Sequence, residues 1–104
     1  MAGAWYYRLG SMLRISGSLG PPYEARFETE VKGLLEFAAA NGLRKVLVDL
    51  RGLRTIDVRY VGRLSQAASE MAKRDGVLVI RAHGRICDCM RRSGMPEAVP
   101  LEAQ

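Results

Sequence analysis

The residues able to do chemistry are few, and their spacing limits what they could do together. His83, Cys87 and Cys89 read H-x-x-x-C-x-C, three soft or borderline ligands within seven residues. A structural zinc site wants four ligands, with cysteine pairs usually two to four residues apart. Cysteines at i and i+2 of a helix point about 200° apart, so they do not share one ion. No metal is therefore expected; Cys89 is read as a core residue and Cys87 as a free surface thiol. A Cys87–Cys89 disulfide inside a helix is geometrically poor. The single His83 has no sequence-fixed carboxylate or nucleophile beside it, and no nucleophile-elbow or phosphate-loop motif occurs. Asp49 and Asp57 fit a strand end and a helix cap better than an acid–base pair. The sequence thus predicts no catalytic set, no enzyme activity and no cofactor.

What remains is charge. Arg51, Arg54 and Arg59 crowd one stretch, VLVDLRGLRTIDVRYVG, residues 46–62, and Arg63 follows directly after it. The stretch opens as an apolar run ending at Asp49, as in a strand buried on both faces. A polar turn, Arg51–Thr55, follows. Asp57 then stands where a helix N-cap belongs, with Val61 and Leu64 opening an apolar stripe behind it. A loop between a strand's carboxyl end and a helix start is where α/β proteins place their working surface. In the first turn of that helix Arg59 opposes the helix dipole by roughly 0.3–1 kcal/mol, and Arg63 adds like-charge repulsion. A cation in so unfavourable a place fits a surface matched to acidic groups or to an anion, as well as a merely solvated one.

The rest of the chain supplies the frame. Trp5–Leu9 and Met12–Ser16 read as two short strands joined by Gly10-Ser11, a tight hairpin turn. Alternation puts Trp5 and Tyr7 on one face and Tyr6 on the other. This aromatic cluster on an edge strand is either core or a homodimer surface. GSLGPP, residues 17–22, reads as a loop. A helix is expected from Tyr23 to Asn41, its stripe Phe27, Val31, Leu34, Leu35 and Ala38. A strand over Lys45–Leu50 follows, then a helix from Val58 to Arg74 with Val61, Leu64, Ala68 and Met71 inward and a Glu70–Arg74 pair outward. Val77–Arg81 is the next strand. A third helix spans Arg85–Arg92 with Ile86, Cys89 and Met90 inward, and an edge strand near Ala98–Leu101 closes the chain. This order implies a single α/β domain over residues 1–104, core about 5–95: a β-hairpin, then a mainly parallel four- to five-stranded sheet with helices along one face.

Composition adds limits. Of the chain's 104 residues, 48% are apolar and 26% charged, ordinary for a globular protein. The net charge of +5 is uneven: residues 1–43 carry four basic and four acidic side chains, residues 44–104 twelve and seven. A basic balance permits weak association with polyanions, but no nucleic-acid-binding motif accompanies it, so no specific nucleic-acid partner is expected. No apolar run is long enough to span a bilayer, so no membrane insertion is expected. MAGAWYYRLG lacks the pattern of a secretory signal, and a cytoplasmic location follows as the expectation.

LRISGSL before a helix, KVLVDLRGLRTID at a helix start, and GVLVIRAHGRICDCMRRSGM together resemble a STAS domain. That family includes the bacterial anti-sigma factor antagonists and the cytoplasmic domains of sulphate transporters. The likeness covers roughly residues 5–95; its most recognisable part is Asp49-Leu50, then Leu53, then Ile56-Asp57 at the helix start. It implies a STAS-type fold and a binding module for transcription regulation by partner switching. The partner would be an anti-sigma factor with a kinase-like fold. Arg54, Asp57, Val58, Arg59, Tyr60 and Arg63 would then meet that partner. In such antagonists a Ser or Thr just after the Asp is phosphorylated; here the sequence reads Asp57-Val58-Arg59-Tyr60, and neither Val58 nor Arg59 accepts phosphate. The nearest hydroxyls are Tyr60, Thr55 and Ser65. The C-terminal stretch also resembles the small STAS subunit of ABC-type phospholipid transporters, which binds the ATPase. A scaffold protein of a stress-sensing complex is a third reading.

Overall fold

A computed structural model describes residues 3–104. Six strands and three helices follow in the order β1 (Ala4–Leu9), β2 (Met12–Leu19), α1 (Ala25–Ala40), β3 (Lys45–Asp49), β4 (Leu53–Ile56), α2 (Val58–Ala72), β5 (Val77–Ala82), α3 (Gly84–Arg92) and β6 (Leu101–Ala103). They form one sheet, ordered β1-β2-β3-β5-β6, with β4 paired to β2. Only the β1–β2 hairpin is antiparallel; every other pairing is parallel. The expected α/β fold, a hairpin feeding a mainly parallel sheet, is the fold observed.

Strand register explains which side chains meet. Leu13, Val48 and Ile80 lie in one row across β2, β3 and β5, with Val46 and Leu78 in the next on the same face. These residues, with Ile15 and Ala82, are buried against Phe27, Val31, Leu34 and Ala38 of α1, Leu64, Ala67 and Met71 of α2, and Ile86 and Met90 of α3, in one core. Burial of each large aliphatic side chain there contributes about 1.5–3 kcal/mol before chain entropy is counted. The opposite face reads differently, row by row. Leu9, Met12, Leu47 and Val79 form an apolar row. Beside it Tyr7, Arg14, Asp49, Arg81 and Glu102 alternate in charge across β1 to β6.

Several expected boundaries move. The second strand does not stop at Ser16 but runs through Gly17 to Leu19. Its partner changes from β3, paired through Arg14, to β4, paired from Gly17, and the β2–β4 register then shifts between Gly17 and Ser18. Gly17 adopts φ +98°, and an added Cβ would stand 2.3 Å from the Gly3 carbonyl oxygen, so only glycine fits this bulge. The expected Arg51–Thr55 turn narrows to Leu50–Gly52, because β4 resumes pairing with β2 once Leu53 turns into the core. The last strand lies at Leu101–Ala103, parallel to β5, three residues later than expected. Arg91 holds the approach to it by donating to the Pro96 and Val99 carbonyls.

Two side-chain assignments change as well. Glu70 pairs with Arg63, at 3.2 Å, and not with Arg74, whose guanidinium donates to the Leu35 carbonyl. Cys87, not Cys89, is the core thiol: it is 7% exposed, and its Sγ–H points to the Ala82 carbonyl. Cys89 is only partly covered. On α3, Cys87 and Met90 are spaced i, i+3 and so share the buried face with Ile86.

Candidate functional site

The start of α2 is assembled from three separate segments. Asp57 caps the helix: its Oδ1 accepts the Arg59 backbone N–H at 2.9 Å and the Arg59 Nε at 3.1 Å. The backbone bond from Arg59 holds its carboxyl below the ordinary aspartate range, with the guanidinium adding to it. The Asp57 N–H donates to the Leu19 carbonyl at 2.7 Å, tying the cap to the end of β2. The unfavourable charge expected of Arg59 at this helix end is thereby largely cancelled by the cap itself.

Tyr60 is the post beneath this tip. Fully buried, it stacks on Tyr23 with ring centroids 4.6 Å apart and meets Phe27 edge-on at 4.9 Å. Its hydroxyl donates to the Gly20 carbonyl at 2.9 Å and accepts the Glu24 N–H at 3.0 Å. The Gly20–Glu24 loop, in which the Pro21–Pro22 peptide is cis, is thereby fixed against α2. Burial raises the Tyr60 phenol above its ordinary value. A second connection runs from Tyr23 to Glu28, then from Arg63 to both Glu28, at 2.9 Å, and Glu70. Burial pushes the Glu28 carboxyl up, but the bonds from Tyr23 and Arg63 outweigh it and leave it lowered. Arg63 therefore bridges α1 and α2 with 14% of its side chain exposed.

These contacts divide the expected site residues. Tyr60 and Arg63 are corrected from contact residues to supports, because one is enclosed and the other is spent on two carboxylates. The same enclosure removes Tyr60 as an accessible hydroxyl for phosphate. Ser65 is half-covered, and its Oγ lies 3.3 Å from the Met95 sulphur. Thr55 stays exposed on β4, at a groove lined by Gly3, Ser18, Gly20, Pro21, Pro22 and Glu24. Arg54 is exposed beside it. Val58 is 57% exposed, a large apolar side chain at the first position of the helix. Arg59 is half exposed, its guanidinium 5.9 Å from the Tyr23 ring centre. Tyr23 and Glu28 escaped the sequence reading, although Tyr23 and Phe27 are spaced i, i+4 and so share a face.

The arrangement offers an apolar tip flanked by cations and one hydroxyl, on a fixed base. Among the described residues no cluster of three His, Cys, Asp or Glu side chains could hold a metal ion. No helix among them is long and apolar enough to cross a membrane. Further along the sheet, Asp49 is 2% exposed and takes the Arg51 N–H at 3.1 Å and its guanidinium at 2.9 Å, with Arg14 at 3.3 Å. Arg51 above all, and Arg14 with it, hold its carboxyl down at about 2.

No protein-family model matches the sequence, and no curated protein matches it either. Among solved structures, the crystal structure of apo-SiaC from Pseudomonas aeruginosa superposes with a TM-score of 0.64 at 16% identity, covering 91% of this chain and 83% of that one. The likeness is one of fold, an α/β sheet-and-helix arrangement spanning nearly the whole of both chains.

Proposed function

We propose that this protein is a non-enzymatic STAS-type interaction module, an anti-sigma-antagonist-like regulator acting in the cytoplasm. Its partner docks on the tip formed by Val58, Arg59 and Arg54. The observation that carries this reading is Val58, an apolar side chain 57% exposed next to Arg59 on a helix start that Tyr60, Asp57 and Arg63 hold in place. A pre-formed apolar centre with a charged rim fits a protein partner, since little ordering cost remains at binding. Thr55, exposed next to the tip, is the hydroxyl at which added phosphate would oppose that contact by charge and bulk.

The test compares capture by wild type, Val58→Glu and Arg59→Glu from native extract, with thermal melts alongside. Glu is well tolerated at a helix start, so both variants keep the wild-type melting temperature within a few degrees. The expected result is one captured protein with a kinase-like fold that both variants lose. Capture of an ABC-type ATPase instead moves the protein to the phospholipid-transporter reading, and a large assembly of homologous chains moves it to the scaffold reading. A partner retained equally by all three proteins refutes docking at this tip.

A further inference from the structure

We infer that β1 is a self-association edge, on which a second copy of this chain pairs antiparallel about a two-fold axis at Tyr7. Among the described residues nothing pairs with the outer side of β1, the first strand in the sheet order. Trp5, Tyr7 and Leu9 alternate along it and are 68%, 53% and 62% exposed. An edge strand ordinarily carries exposed charge, proline or a bulge that discourages pairing; the one charged side chain of AWYYRL, Arg8, is engaged by the Gly33 carbonyl and Glu30 of α1. The backbone is turned the right way. The Ser18 N–H donates to the Gly3 carbonyl, so residues 3, 5, 7 and 9 bond towards β2. Ala4, Tyr6 and Arg8 therefore offer their N–H and C=O groups outward.

Symmetry then selects the register. With Tyr7 opposite Tyr7, Trp5 of each copy faces Leu9 of the other, and Tyr6 faces Arg8. All the exposed apolar side chains of the strand find apolar partners, and no like charges stand opposite each other. Moving the axis to Tyr6 leaves Leu9 unpaired and sets Ala4 against Arg8. On the other face of the ribbon Tyr6 and Arg8 stay bound within their own copy, Tyr6 to Glu24 and Arg8 to the Gly33 carbonyl and Glu30, and so leave the seam to the Trp5–Tyr7–Leu9 face. Charge favours a second copy as occupant: residues 1–43, which build β1, β2 and α1, balance four basic against four acidic side chains. The basic excess lies wholly in residues 44–104, so two copies joined here do not bring it to the seam. The two aromatic rings leave on the order of 300 Å² exposed per copy, which places the dimer at the small, reversible end of specific interfaces.

The experiment is sedimentation equilibrium of the full chain up to roughly 500 μM, above the range of tight interfaces, with Trp5, the only tryptophan, as a fluorescence reporter. Wild type is expected to move from monomer to dimer as concentration rises, with a shift in Trp5 emission. Tyr7→Lys and Tyr7→Glu, checked by circular dichroism for retained fold, each stay monomeric. Their equimolar mixture dimerises again, because Lys then faces Glu at the axis. A wild type that remains monomeric overturns the inference, as does a Tyr7→Lys that dimerises like wild type, a mixture no better than either variant, or assembly beyond two copies. If either Tyr7 variant unfolds, Trp5→Glu mixed with Leu9→Lys tests the same register. Loss of partner capture by Val58→Glu leaves this outcome untouched.

Discussion

The Tyr60 hydroxyl serves two backbone groups at once, the Gly20 carbonyl and the Glu24 N–H, and its ring fills the space between Tyr23 and Phe27. Tyr60→Phe keeps the ring but leaves both backbone groups without their partner in a closed site. That change is expected to cost about 1–3 kcal/mol, read as a lower urea midpoint with an unchanged slope. Because Val58 and Arg59 stay in place, the same variant should still capture the partner at temperatures where it is folded. A variant as stable as wild type would mean that water reaches these groups. The sequence did hold a sign of this role. Tyr60, Leu64, Ala67 and Met71 recur at i, i+4, i+7 and i+11, a spacing that puts Tyr60 inside, although its place beside Asp57 drew attention to its hydroxyl instead.

At the scale of elements, β2 has two partners along its length, and Gly17 lets it follow the irregular register of the second, β4. The first half of β2 holds β3, the second holds β4, and β4 delivers the chain to the α2 tip. Gly17→Ala combines a left-handed backbone angle with a Cβ 2.3 Å from a backbone oxygen, so it is expected to destabilise by about 1–3 kcal/mol. Amide exchange should show the loss concentrated in β4 and the Asp57 cap, with β5 still protected to the global limit; uniform loss would contradict the bulge's local role. This element was the hardest to read in sequence. GSLGPP and RGLRT carry turn-forming residues, and the tertiary pairing of β2 with β4 overrides those local preferences. The long periodic pieces, α1, α2, β3 and β5, were legible because their apolar spacing and their burial agree. Side-chain partners such as Arg63 with Glu28, thirty-five residues apart, leave no mark in local pattern.

For the molecule as a whole, the carboxylates that join elements govern its response to acid. Asp49 lies between β2 and the Arg51 turn, and Glu28 links α1 to α2 through Arg63. Both carboxyls are lowered, Asp49 to about 2 from 3.8 chiefly by Arg51, and Glu28 by its bonds from Tyr23 and Arg63. A group whose folded value lies below its unfolded one adds stability above the unfolded value and loses it as pH falls through the folded one. The contribution of Asp49 is therefore complete above about pH 4 and fades between about 4 and 2. Since Arg14 and Arg51 are themselves 48% and 42% exposed, solvent screening reduces it to roughly 1–2 kcal/mol. Asp49→Asn should melt several degrees lower at pH 7, and its curve should approach that of wild type as both are taken towards pH 2. A gap that stays constant from pH 7 to pH 2 would mean that the carboxylate's charge contributes nothing and that its hydrogen bonds alone hold the Arg51 turn.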